Sequence, residues 1–192
     1  MEALTLKLKP IIDMTDDQFF ELCQQNRDVQ FERTSTGELI IMPPTGGETG
    51  RRNVGITSQL WLWNQTTKLG KVFDSSTGFK LPNKAERAPD ASWIKLERWE
   101  ALTLEERRKF LPLCPDFVVE LRSFTDNLKP LQDKMQEYID NGSQLGWLID
   151  PKHKTVEIYR PNQPIQVLKS PAKISGENIL PEFILDLTEI LT

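Results

Sequence analysis

The chain has 192 residues, 27% of them charged and 38% hydrophobic, a balance that suits a globular protein able to bury a core without disulfide or metal staples. Its formal net charge of −4 removes whole-molecule attraction to nucleic acid or to an anionic membrane, so any phosphate contact has to be local. The single histidine, His153 in the turn PKHKT, removes histidine-based zinc sites and Ser-His-Asp chemistry, which leaves carboxylates, lysine and arginine to carry any reaction.

In chain order, Thr15 and Gln18 stand in capping-box spacing at the head of TDDQFFELCQQN, and with Phe19, Leu22 and Cys23 they predict a short amphipathic helix over 15–26. VQFERT and ELIIM flank the turn STG, containing Gly37, as a β-hairpin. After the break PPTGG at 43–47 the pattern predicts a helix of about sixteen residues, with Val54, Leu60, Trp61 and Leu62 as core contacts. KVFDSSTGFKLPN reads as two short strands around Gly78, KAER as a charged loop, and APDASWI as a strand beginning near Asp90. TLEERRKFL carries a second capping box, Thr103 with Glu106, for a small helix ahead of CPDFVVELR.

Alternation along that last segment sends Phe117, Val119 and Leu121 to an apolar face, and Asp116, Val118, Glu120 and Arg122 to a largely charged one. Pro130 in the first turn and Gly142 past the end bracket a helix over LKPLQDKMQEYIDN. QLGWLID, VEIYR and IQVLKS follow as successive antiparallel strands, and LPEFILDLTEIL closes against the body. With no internal repeat, low-complexity tract or linker, the expectation is one α/β domain over 1–192 built on a mixed β-sheet. Two isolated cysteines, no secretory hydrophobic core and no apolar run of membrane-spanning length point to a cytoplasmic protein with reduced thiols and no membrane partner.

The chemistry centres on a few acids. Asp90 begins one strand and Glu120 lies inside another, and the segment between them is long enough to set the strands side by side. Converging carboxylates resist ionising unless a cation lies between them, and a hard divalent ion such as Mg²⁺, which takes oxygen ligands and keeps several waters, suits such a pair. On the next helix Lys134 borders the apolar stripe of Leu131, Met135 and Tyr138, so its stem packs while its amine reaches toward the charged strand face; Asp133 points away. Asp116 reads as a solvated strand end, Glu48 as a helix-start acid, and the clusters Arg51-Arg52, Arg107-Arg108-Lys109 and Lys152-His153-Lys154 as solvated surface.

APD around Asp90, PDFVVELRS, the KMQEY helix, GWLIDP and VEIYR, with FERTSTGELIIMPPTGGETG and LPEFILDL near the two ends, resemble the Uma2 family of restriction-endonuclease-like proteins in the PD-(D/E)xK nuclease superfamily. The resemblance implies a restriction-endonuclease-like core with an added antiparallel hairpin region. It also implies Mg²⁺ or Mn²⁺ held by Asp90 and Glu120, a metal-activated water attacking a phosphodiester of nucleic acid, DNA foremost, and a homodimer suited to a two-fold duplex. In the superfamily pattern a lysine stands two residues after the acid. Here that residue is Arg122, which can steady a phosphate but does not readily act as a base. The resemblance therefore assigns the lysine's task to Lys134, and gives Glu32 in FERTSTGEL a metal or supporting role. The alternative is a catalytically silent nuclease-like domain that binds a protein partner or forms a structural homodimer. A sugar-cleaving pair of acids finds no supporting cleft signal.

Overall fold

The computed structural model describes residues 3–192. β1 (Leu4–Leu6) precedes α1 (Asp16–Gln25), whose capping box forms: the Gln18 amide donates to Thr15 Oγ1 at 3.2 Å and the Thr15 amide to Gln18 Oε1 at 2.9 Å. The hairpin is β2 (Gln30–Arg33) and β3 (Leu39–Met42), with Gly37 at a φ of 89°, a left-handed conformation that carries no Cβ penalty in glycine.

α2 (Gly47–Thr67) is longer than the pattern predicts, at 21 residues, and its inward stripe is Thr49, Ile56, Leu60 and Asn64. Leu60 is a core contact as expected, but Val54, Trp61 and Leu62 face outward, 68%, 50% and 59% exposed, which corrects that reading. Apolar residues on both sides of the helix masked the stripe, and so did a polar member of it: buried Asn64 donates to the Gly70 carbonyl at 3.0 Å and accepts from the Gly70 amide at 3.2 Å.

β4 (Gly70–Asp74) and β5 (Phe79–Lys80) follow. KAER is not a charged loop, because Glu86–Arg87 form β6 and both residues are buried. β7 (Ala91–Lys95) runs into α3 (Leu96–Glu100), which the pattern did not reveal, and then into a single 3-10 turn at Glu106–Arg108 held by the Thr103 and Glu106 pair. β8 (Phe117–Leu121), α4 (Leu128–Asp140), β9 (Leu145–Asp150), β10 (Thr155–Tyr159), β11 (Gln166–Lys169), β12 (Lys173–Ser175) and β13 (Ile184–Asp186) complete the chain.

Six strands in the order β11-β10-β9-β8-β7-β4 form a mixed sheet, parallel only between β8 and β9, the two strands that α4 connects. A parallel pair needs a crossover of this kind, whereas the antiparallel neighbours return through turns and short segments. A five-stranded antiparallel sheet, β1-β3-β2-β6-β5, and the β12-β13 pair complete a mixed α/β architecture. Among the described residues no helix is long and apolar enough to cross a membrane.

β8 and β9 are buried along their whole length. Alternation sends Phe117, Val119 and Leu121, with Trp147 and Ile149, to a core shared with Ile56 and Leu60 of α2 and with Phe183, Leu187 and Ile190 of the closing segment. Val118 and Leu148 go to the opposite core, under Met135 and Tyr138 of α4. Gly146 permits this close approach, since a Cβ there would lie 2.4 Å from Met135 Cε. The charged side of β8 therefore faces a helix, not solvent. Asp116 is corrected accordingly: it is 4% exposed, accepts from the Lys95 amide at 2.9 Å and pairs with Arg98 at 3.0 Å.

Candidate active site

The β7 and β8 ladder pairs Ala91 with Val119, so the antiparallel register carried one residue further sets Asp90 opposite Glu120. Residues opposed in this way project to the same face, with Cβ atoms roughly 5 Å apart. Asp90 is partly buried and held on both oxygens: the Leu121 amide donates to Oδ2 at 2.8 Å and Asn53 Nδ2 to Oδ1 at 2.9 Å.

α4 lies over that face and brings Lys134 and Tyr138, one turn apart, to Glu120. The Lys134 amine is 2.8 Å from Glu120 Oε1, and Tyr138 Oη donates to the same oxygen at 3.0 Å. The same amine is 2.7 Å from Glu32 Oε1 on β2. The second sheet supplies the rest. β2 pairs Arg33 with Glu86, so their neighbours Glu32 and Arg87 oppose each other on the other face of the ribbon, where Arg87 Nη1 meets Glu32 Oε2 at 3.0 Å. The Ala88 amide donates to Glu32 Oε1 at 3.0 Å, and Arg87 Nε pairs with Glu137 Oε2 at 2.6 Å.

Burial pushes the Glu120 carboxyl up to about 8; Lys134 works against this rise, and the charges of Asp90 and Glu32 add to it. Burial also raises Asp90, opposed by the Leu121 amide, Lys134 and Asn53. For Glu32 burial is again the largest influence, but Lys134, Arg87 and the Ala88 amide together overcome it and hold that carboxyl below its ordinary range. Desolvation pulls Lys134 down, yet Glu120 and Glu32 more than compensate and keep it protonated well above the usual lysine range. Such a lysine is a donor of charge and hydrogen bonds, not a base.

With all four acids ionised, Glu32, Asp90, Glu120 and Glu137 would exceed the two cations, Arg87 and Lys134, by two charges, an excess that the raised Glu120 carboxyl relieves by keeping its proton at neutral pH. Lys134 and Tyr138 both hold Glu120 through Oε1. Among the described residues no three His, Cys, Asp or Glu side chains group as a ready-made metal cage.

Of the residues singled out from the sequence, Asp90, Glu120, Lys134 and Glu32 meet in this pocket. Arg122 does not join them. Its guanidinium reaches Asp150 Oδ2 at 2.7 Å and the Asp126 carbonyl at 3.0 Å, because the parallel pairing of Leu121 with Ile149, carried one residue on, puts Arg122 beside Asp150. Glu48 sits exposed in the first turn of α2, paired with Arg51 and Arg52. Arg87, Glu137 and Asn53 belong to the network but carried no signal of their own. Arg87 was hidden in a stretch read as loop, and Asn53 would have emerged only from the spacing of the stripe Thr49, Asn53, Ile56, Leu60.

The sequence profile of the Uma2 family, described as "Putative restriction endonuclease", matches residues 16–188. Among solved structures, one described as a "putative nuclease belonging to DUF820 from Anabaena variabilis ATCC 29413" superposes with a TM-score of 0.77 over 93% of this chain and 98% of that one. At 21% identity that likeness shows a common fold. No curated protein matches the chain.

Proposed function

The chain belongs to the Uma2 family, and from that membership and the pocket around Lys134 we propose that it is a divalent-cation-dependent endonuclease hydrolysing phosphodiester bonds of nucleic acid, with DNA as the first substrate to test. The observation that carries the reading is the placement of the Lys134 amine between Glu32 and Glu120, with Asp90 across the ladder from Glu120.

The donor set fits a hard divalent ion: two carboxylates on one face, and four acids against two cations, so that a cation bound there would let the raised Glu120 carboxyl ionise. Held by Asp90 and Glu120, Mg²⁺ or Mn²⁺ would supply Lewis-acid polarisation of the phosphate and a water of lowered pKa. The chain's own groups do the positioning. The Leu121 amide and Asn53 fix Asp90, and Tyr138 fixes Glu120. Lys134 has three N–H donors and spends two on Glu32 and Glu120, so the third is available to a phosphoryl oxygen or to the attacking water. There it offsets the charge that grows in the transition state.

One observation favours a second reading, a catalytically silent scaffold: the ion pairs of Lys134 with Glu32 and Glu120 also serve to hold α4 on the two sheets. Cleavage of single-stranded, duplex and branched DNA and RNA by purified protein in Mg²⁺, Mn²⁺ or chelator separates the two. The endonuclease reading expects cation-dependent cleavage by the wild type and at least a hundredfold loss in D90A, with the circular dichroism spectrum retained. No wild-type cleavage of any substrate, or equal cleavage by D90A, refutes it.

A further inference from the structure

Asn53 projects from α2 beside the buried residues Ile56 and Leu60, so its side chain is carried by a well-packed helix. Its Nδ2 donates to Asp90 Oδ1 at 2.9 Å. An ionised carboxylate only accepts, so the amide turns its NH₂ to Asp90 and its carbonyl oxygen is left over. That oxygen, Oδ1, is buried and without a hydrogen-bond partner.

A buried acceptor left unpaired costs about 1–3 kcal/mol. Such atoms are uncommon, and one that persists in a candidate site calls for an ion or a water. Asn53 Oδ1 belongs to the same amide group whose nitrogen touches Asp90, and Asp90 stands opposite Glu120, which Tyr138 and Lys134 hold through Oε1. Two carboxylates are few protein ligands for a hard divalent ion, and the side-chain carbonyl of asparagine is one of its ordinary oxygen donors.

Building on the cation-dependent reading above, we infer that Asn53 is a third oxygen donor of the Asp90 and Glu120 site. Its N–H fixes the orientation of Asp90, and its Oδ1 goes to the cation or to a water in the cation's shell. The role is specific to an amide: alanine supplies neither group, and aspartate supplies the oxygens but places a second negative charge against Asp90.

Calorimetric titration of Mn²⁺ alone into chelator-treated wild type, N53A and N53D tests this, together with thermal melts of each in chelator and in Mn²⁺. The expected result is binding by N53A weakened by about 10–100-fold, the usual cost of losing a group that supports a metal site. N53D should melt below the wild type in chelator and regain most of that difference in Mn²⁺. If the wild type binds Mn²⁺ while N53A binds equally well and N53D is not rescued, the assignment of Asn53 is overturned and the cation site stands. If the wild type binds no Mn²⁺ at millimolar concentration, both fall.

Discussion

Replacing Lys134 by Met keeps most of the aliphatic stem and removes the ammonium from between two acids whose side chains are 3% and 5% exposed. The two acids are not affected equally. Glu32 keeps Arg87 at 3.0 Å and the Ala88 amide at 3.0 Å, whereas Glu120 keeps the neutral Tyr138 hydroxyl in place of a cation. The loss is therefore that of one buried ion pair broken from one side, about 3–5 kcal/mol, and not twice that. It also depends on pH in a definite direction. Removing the ammonium raises the proton affinity of both folded-state carboxylates and leaves the unfolded chain unchanged, so the variant's deficit grows as pH rises. Guanidinium unfolding in chelator at pH 5.5, 7 and 8.5, followed by the fluorescence of the buried Trp93 and Trp147, measures it. A K134M protein within about 0.5 kcal/mol of the wild type at pH 8.5, below the cost of any broken buried pair, would refute the reasoning, as would a deficit larger at pH 5.5 than at pH 8.5.

Two further outcomes follow from the same pocket. In chelator, Glu120 with its carboxyl raised from 4.5 to about 8 makes the wild type lose stability as pH rises through that window, by at most about 1.4 kcal/mol per pH unit. Glu120→Gln should flatten that component and be the more stable protein at pH 8.5; parallel stability curves for the two proteins would show that Glu120 ionises normally. Arg122→Lys restores the residue type of the superfamily pattern at a position bound to Asp150, so it should leave cleavage within about threefold and cost about 1–3 kcal/mol of stability through the lost guanidinium bonds. A tenfold rise in cleavage by R122K would mean that this position, not Lys134, is the seat of the lysine.

How far the chain could be read in advance depended on how local each signal was. The capping boxes at Thr15 and Thr103 and the glycine after α4 act within a few residues, and the structure carries all of them as expected. Strand alternation in β8 correctly divided Phe117, Val119 and Leu121 from Glu120, and helical spacing put Lys134 at the border of its stripe. Asp116 shows where local reasoning stopped. A charged residue after a proline at a strand entrance looks solvated, and only the packing of Arg98 and the Lys95 amide against it makes it buried.

The sequence alone determined the α/β class, the bracketing of α1 and α4, and which residue types were available for chemistry, because these follow from composition, local capping signals and periodicities of two and 3.6 residues. The tertiary structure decided the meeting of Glu32, Asp90, Glu120 and Lys134. That meeting needs the register of β7 on β8, the pairing of β2 with a β6 hidden in a charged stretch, and the close seating of α4 that Gly146 allows. Tertiary packing likewise turned Arg122 toward Asp150 and left one oxygen of Asn53 unpaired beside Asp90. Each of these is a distance between segments far apart in the chain, set by the register and packing of whole elements, and no local pattern encodes it.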